Sequence, residues 1–600
     1  MKTISYKNVD ITGGFFGERQ QCNAQITAGG VYARFAETGR FRALDCVRDD
    51  EHKSHIFWDS DVAKWLEGVA YILAKTEDAG LWARADAAIA AICRNQLPNG
   101  YFNSYFQVYE PENIFRKRTE HELYCAGHLI EAAVAFKESG ADERLYAAMT
   151  KYADYIYERF YVRKDAGFFT CGHPEIELAL IRLYEVSGQE KYLRLAEYFV
   201  ETRGRHKETM YDFDDPACAQ DDAPVRELRK ARGHAVRALY LYTAMADLAR
   251  IRQDETLAAA CETLFRDIVD TKMYLTGGTG SSHYGERFTF AYHLPDFSAY
   301  SETCAGIALA LFCDRLAKRK NRAEYHEIFE RVLYNVVSAG IGRDGKSFFY
   351  VNPLEMHAAY VDYNDSLAVP QACPLPERVE VFDCSCCPPN LLRFFASLSG
   401  YLYGEEDGVV YVNQYVTSRT EAAGAKIEVV SELPYSGRVR IAVSGRVGLR
   451  LRVPAWHTSV RLRVGGTDRA PDSTDGYIAV DCAGETEIEL DFGMRARFVW
   501  ANERVWHDSG RKAVEYGPLV LCAESADNGP DLAAVRIPDL KEAAIDRRDP
   551  FTLAVPAERL RTSPALYSYE APVAEPFTLR LIPYFAWANR GRGDMQVWFL

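Results

Sequence analysis

At 600 residues the chain exceeds one ordinary hydrophobic core, so two or more domains are expected. It is 48% hydrophobic and 26% charged, a globular rather than a disordered composition. The net charge of −14, with no Lys/Arg-rich stripe, argues against nucleic acid as the main partner. No stretch approaches the roughly 18 apolar residues of a membrane span, so no membrane partner is expected. The opening segment "MKTISYKNVDITGGFFGERQ" lacks an apolar h-region, and no signal peptide is expected. Fifteen cysteines are scattered and do not form a dense framework, which points to a reduced, cytoplasmic setting.

Along the chain, residues 58 to about 402 read as helices. "SDVAKWLEGVAYILAKT", "HLIEAAVAFKESG", "IELALIRLYEVSG", "AVRALYLYTAMADLARI" and "CAGIALALFCDRLAKR" place apolar residues at i, i+3, i+4 and i+7. Each is followed by a second helical stretch, such as "LWARADAAIAAICRNQ" or "EKYLRLAEYFVETR". The pairs recur too loosely for a solenoid repeat. Long loops between pairs favour a closed toroid of paired helices, with an open superhelix as the alternative. After residue 403 the period becomes two: "VVYVNQYV", "AKIEVVSEL", "RVRIAVSG" and "TEIELDF" alternate and end in turn residues. The expected domains are therefore 1–402 helical, 403–505 a first β-sandwich and 506–600 a second. The short strand "TISY" is expected to join one of these sheets.

"FDCSCCPPNLLRFFASL" puts Cys384, Cys386 and Cys387 against the start of a helix. Pro is favoured in the first helical turn, which places Cys386 and Cys387 around the N-cap, with Cys387 pushed towards an extended backbone by Pro388. The positive end of the helix dipole favours thiolates there, but two adjacent thiolates repel and call for a cation. Soft thiolates select zinc over magnesium or calcium. "YSETCAGIALALF" offers Glu302 and Cys304, which share a face only on an extended segment leading into the helix. Glu302, Cys304, Cys386 and Cys387 would make a tetrahedral Cys3Glu set; the alternative is a metal-free pair of buried helix starts. Glu286 lies in the glycine-rich loop "GGTGSSHYGERF", sixteen residues before Glu302, so the loop is expected to reach the same cleft. His121, His173 and His234 stand at the starts of successive helix pairs, where a toroid would bring them to one rim.

At these residues the sequence resembles glycoside hydrolase family 127, the β-L-arabinofuranosidase family. "DSDVAKWLEG", "HELYCAGHLIEAA", "GHAVRALYL", "TGGTGS", "GERF", "SETCA", "FFYVNPLE", "CCPPN" and "PYFAWANRG" carry the resemblance, in the family's order and over nearly the whole chain. It implies an (α/α)6 barrel followed by β-sandwich domains, and a retaining, exo-acting hydrolase releasing L-arabinose from β-L-arabinofuranosides. It implies zinc on Glu302, Cys304, Cys386 and Cys387, with Cys386 as nucleophile and Glu286 as acid/base. His121, His173, His234 and Tyr350 take substrate-contacting places. The partner implied is an oligosaccharide or glycoside, and a homodimer stays open. Cys384 has no place in the motif: it reads as a spectator or a competing ligand. Two alternatives remain at this point. One is a hydrolase of the same fold acting on another plant-derived sugar. The other is a carbohydrate-binding barrel with a structural zinc.

Overall fold

The computed structural model describes residues 1–361, 375–548 and 551–600. Its helical part starts earlier than residue 58. Helices α1 (Gly14–Cys22) and α2 (Ala28–Glu37) precede the paired series. Their glycines and charges hide the period, since α1 reads "GFFGERQQC". Then follow α3 (Trp58–Leu73), α4 (Ala79–Asn95), α5 (Glu122–Ser139), α6 (Arg144–Ile156), α7 (Ile176–Ser187), α8 (Glu190–Thr202), α9 (Ala235–Arg252), α10 (Glu255–Thr271), α11 (Thr303–Arg319), α12 (Ala323–Val332) and α13 (Cys387–Ser397). The local signals are ordinary ones. Asp78 and Asp254 cap α4 and α10 by accepting from Leu81 N and Leu257 N. Gly140 and Gly188 end α5 and α7 in the left-handed conformation.

Two kinds of helix result. In α5 every residue from Glu122 to Phe136 is buried, so the helix is covered all round. Helix α8 buries one stripe, including Tyr192, Leu195, Ala196 and Phe199. Packing sorts them into two layers. Helices α3, α5, α7, α9, α11 and α13 pack each against the next, and α13 packs back on α3. Outside them, α4 packs on α3, α6 on α5, α8 on α7, α10 on α9 and α12 on α11. The N-terminal helices supply the outer cover of α13: Asn23 and Gln20 side chains donate to Leu392 O and Phe395 O.

The inner ring encloses charge. Arg393 of α13 donates through one nitrogen to Glu67 of α3 (2.8 Å) and Glu131 of α5 (2.6 Å). Arg182 of α7 donates to the other oxygens of the same two carboxylates, 2.9 Å each. The quartet is formally neutral and almost out of contact with water.

The β region forms two sheets. In the first, Arg438–Arg452 pairs antiparallel with Tyr477–Phe492, in register from Arg438↔Asp491 to Arg452↔Tyr477. Strand Ala425–Ser431 alternates buried and exposed along its whole length, as a one-sided strand must. The N-terminal strands join this sheet, Lys2–Thr3 on Tyr403–Glu406 and Val9–Ile11 on Ser418–Ala422. Sheet membership changes between Phe492 and Ala496. Strand Ala496–Val499, which the sequence reading put in the first β unit, pairs with Ala513–Tyr516 of the second sheet.

The sheets are bonded to the helices. Glu355–Met356 pairs with Met595–Gln596. Asn335 donates to Pro518 O and accepts from Val520 N. Arg452 and Trp456 both donate to Glu330 of α12. Among the described residues no helix is long and apolar enough to cross a membrane, and all fourteen cysteines are free.

Breaking a buried ion pair from one side costs about 3–5 kcal/mol. Arg393→Met is therefore expected to lower the midpoint of urea unfolding substantially. An unchanged midpoint would show that the quartet does not hold the ring closed.

Candidate active site and metal centre

One end of the inner ring opens into a cavity of about 800 Å3. His121, His173, His234, Glu286, Glu302, Cys304, Tyr350 and Cys386 all line it, with Cys387 buried behind. The residues singled out in the sequence thus come from seven separate segments to one place.

The cysteine cluster is built from two helix starts. Glu302 is the N-cap of α11, with extended backbone (φ −61°, ψ 139°), and Cys304 lies two residues on, inside the helix. That change of backbone lets the two side chains converge. Thr303 N bonds to Tyr350 O at 2.9 Å, which lays the Tyr350 strand beside this turn. On the other side Cys386 is the N-cap of α13, and Cys387 opens the helix ahead of Pro388. The extended backbone expected for Cys387 is thus not found. A proline in the first turn leaves no donor unsatisfied, and the fully buried Cys387 packs its sulfur on Cys304, which outweighs the steric preference before proline.

Sulfur separations are 3.5 Å for Cys304–Cys386, 3.4 Å for Cys304–Cys387 and 3.8 Å for Cys386–Cys387. Glu302 Oε1 lies 3.4 Å from Cys386 Sγ and 3.8 Å from Cys387 Sγ. A tetrahedron with metal–sulfur bonds of 2.3 Å has sulfur–sulfur edges of about 3.8 Å and sulfur–oxygen edges of about 3.6 Å. The four donor atoms fit that figure and all lie within 4.8 Å of one another. Glu302 Oε2 is buried without a hydrogen-bond partner. Burial, and then the Cys386 sulfur, push the Glu302 carboxyl well above the usual carboxylate range. Burial pushes the Cys387 thiol up as well. A carboxyl and three thiols so crowded ionise together only around a cation, and thiolate donors suit a soft divalent metal.

Glu286 is set by a two-residue ladder. Gly233–His234 pairs with Arg287–Phe288, and Glu286 O accepts from Ala235 N at 2.9 Å, so the loop caps α9. Gly233 is required there: φ is +70°, and a Cβ would meet Ala217 O at 1.7 Å. The ladder places His234 Nε2 at 2.6 Å from Glu286 Oε2. Burial opposes a charged Glu286, but His234, together with the Tyr300 hydroxyl, outweighs it and holds the carboxyl below the usual range. Burial, followed by the nearby Arg237 guanidinium, lowers His121 to about 3 and His173 well below the imidazole range. Neutral rings of this kind donate and accept hydrogen bonds without adding charge. The rings follow one another around the rim, His121–His173 at 5.7 Å and His173–His234 at 5.4 Å between centroids. His128, two turns into α5, faces Glu175 at 3.0 Å instead. With Glu131 these form a second, wholly buried group that could hold a cation, but Glu131 already belongs to the arginine quartet.

Tyr350 Oη lies 3.3 Å from Cys386 Sγ and 3.8 Å from Cys384 Sγ. Cys384 stands at the mouth of the cavity, outside the four-donor group. Sequence reasoning missed Lys64, Tyr300, Tyr124 and Arg237. Lys64 is 1% exposed, with its ammonium 4.8 Å from the centre of the Tyr124 ring. A lysine inside the apolar run "VAKWLEGVA" was the available signal.

Family models match three consecutive parts of the chain: the β-L-arabinofuranosidase GH127 catalytic domain at residues 8–400, the GH127 middle domain at 409–494 and the family 127 C-terminal domain at 496–600. A non-reducing end β-L-arabinofuranosidase of Bifidobacterium longum subsp. longum is 37% identical, over 92% of this chain and 90% of that protein. Among solved structures, a GH127 β-L-arabinofuranosidase from Geobacillus stearothermophilus T6 aligns with TM-score 0.92 at 37% identity, covering 99% of both chains. A second GH127 β-arabinofuranosidase aligns with TM-score 0.89 at 31% identity, over 100% of this chain and 97% of its own.

Two outcomes are expected. Protein prepared without chelator should carry about one metal ion per chain, and Cys387→Ser should lose it; elemental analysis decides. In His234→Ala the hydrogen bond favouring ionised Glu286 is gone while burial remains, so the Glu286 carboxyl should titrate about one pH unit higher or more, measured by carbon-detected NMR.

Proposed function

The chain belongs to glycoside hydrolase family 127 and is a glycosidase; from that premise we propose a retaining, exo-acting enzyme that releases L-arabinose from β-L-arabinofuranosides. The observation that carries the reading is the shared cavity, where an acid/base carboxyl, a thiol at a helix start and three uncharged imidazoles face one space. Two layers of paired helices around a closed inner ring support an (α/α)6 barrel, and the two sheets support β-sandwich domains behind it. We take the metal to be zinc, held by Glu302, Cys304, Cys386 and Cys387. Zinc bound there would keep the thiols ionised at neutral pH. Unpaired cysteines and thiolate ligands suit a reducing, cytoplasmic setting.

In the proposed reaction His121, His173 and His234 hold the hydroxyls of the terminal sugar. Cys386 Sγ attacks the anomeric carbon, while Glu286, ionised beside His234 in the free site, takes up a proton as the sugar displaces water from around it and gives that proton to the departing glycosidic oxygen. The carbon–oxygen bond breaks and a carbon–sulfur bond forms. Tyr350 donates its hydroxyl hydrogen bond to the sulfur and fixes its direction. Glu286, now a carboxylate favoured by His234, takes a proton from water. The resulting hydroxide attacks the same carbon, the thiolate leaves, and configuration is retained by two inversions. Cys386 replaces the second carboxylate of an ordinary retaining pair. It needs stronger ionising surroundings, which the helix N-terminus and a cation held by the four donors would provide.

A screen of nitrophenyl glycosides including the β-L-arabinofuranoside, with the product anomer followed by NMR, tests the assignment. A preference for another sugar, or an inverted product, overturns it. Glu286→Gln should lose about 10²–10⁴-fold in rate on poor leaving groups. It should lose less in the first step on an aryl glycoside, letting a pentosyl adduct accumulate on Cys386. Cys386→Ser should lose nearly all turnover. An adduct mapped by mass spectrometry to Glu286 or Glu302 would make the nucleophile a carboxylate.

A further inference from the structure

Two large aromatic side chains at the cavity mouth have no packing role that accounts for them. Phe213 is 52% exposed and Tyr284 63% exposed, yet both line the cavity. Their ring centroids are 4.9 Å apart with planes at 58°, so they meet at an angle and do not cover each other's faces by stacking. Behind both rings sits Arg287, its guanidinium 5.0 Å from the centre of Tyr284 and 5.7 Å from that of Phe213. Asp215 holds that guanidinium with a 2.7 Å bond. The backbone carrying Phe213 is strained: Phe213 and Asp214 both have left-handed φ, 58° and 53°. Asp212, one residue back, is ion-paired to Arg237 of α9, which anchors the strained turn to the inner ring. Single exposed apolar residues are common and need no explanation. Here two rings are backed by one cation, on strained and anchored backbone, at the entrance of a deep polar cavity.

Chain position says what the rings meet. Tyr284 is two residues from Glu286 on the same tight loop, where His283 O accepts from Glu286 N at 3.1 Å. Glu286 marks the place of the glycosidic oxygen, and Cys386 the anomeric carbon deeper in. Whatever is attached to that oxygen on its far side must leave through the mouth. We propose that Phe213 and Tyr284 form the binding site for the leaving group, taking the ring of a second sugar against their faces. A sugar ring has an apolar C–H face and polar edges, which suits an exposed aromatic pair flanked by Asp212 and Arg287. The inference rests on the function proposed above, since it takes its direction from Glu286 and Cys386.

The experiment compares two substrates: a β-L-arabinofuranosyl disaccharide, which has a second ring, and methyl β-L-arabinofuranoside, which has none. In Phe213→Ala and Tyr284→Ala, kcat/KM on the disaccharide is expected to fall about tenfold further than on the methyl glycoside. Tyr284→Phe, which keeps the ring, should restore most of the loss. Equal losses on both substrates would show that the rings only hold the loop, and no loss on either would show that they bind nothing; each overturns the proposal. A parent enzyme inactive on both arabinofuranosides would instead overturn the functional reading on which it rests.

Discussion

Arg393 ties the helix that opens with Cys386 and Cys387 to the rest of the ring. Its partner Glu67 is 326 residues earlier in the chain, and Glu131 is 262 residues earlier. Helix α13 is the last inner helix, so its place decides whether the ring closes at all. Apolar packing alone tolerates sliding by a helical turn; a guanidinium shared between two carboxylates, themselves shared with Arg182, does not. Asn390 and Tyr240 fix the remaining nitrogens of Arg393 at 2.7 and 3.1 Å. Cys386 and Cys387 stand two turns up the same helix. Their sulfurs can meet Cys304 and Glu302 only if α13 has one axial position, and the quartet sets it.

The two buried charge clusters follow opposite logic. The quartet carries its own compensation, two guanidiniums for two carboxylates, and needs nothing added. The Cys3Glu cluster gathers four groups that ionise to the same sign, and the nearby cation Lys64 is only one charge. The first is therefore a structural joint, and the second is a group that could hold a cation. Burial serves both, since a low dielectric strengthens the joint and makes an unoccupied like-charged cluster costly.

Much of this was legible in the chain because it is local. "CCPP" at a helix start, Glu302 and Cys304 at an extended-to-helical change, and Glu286 in a glycine loop each depend on a few adjacent residues. His121, His173 and His234 could be gathered because helix pairs of similar length return to the same end. The illegible parts depend on partners distant in sequence. Tyr300 matters through a loop fourteen residues from the group it touches, Glu286, and Lys64 only because α3 and α5 are neighbours. The turn of Phe213 matters because α9 holds Asp212. Strand Glu355–Met356 is two residues long, too short for any period to show. Helix α1 buries only Phe16 and shows no apolar stripe, whereas α2 buries Ala28, Val31 and Phe35 in a stripe too short to stand out among its glycines and charges, and the sheet change at 492–496 follows pairing, which alternation does not specify.

That two-residue strand has a consequence for how the enzyme is made. It directly follows the segment carrying Tyr350, and it pairs with residues 241 positions later, Glu355 with Gln596. A ribosome delivers a chain from its N-terminus, and contacts of such long separation form last. The helices and the clustered thiols are thus all outside the ribosome well before the segment that carries Tyr350 can be tied down. For that interval a nascent chain has the four clustered donors without a finished cavity wall. Fragments that stop short of Gln596, whether from interrupted translation or from proteolysis, would keep those donors and lose the pairing that backs the Tyr350 segment.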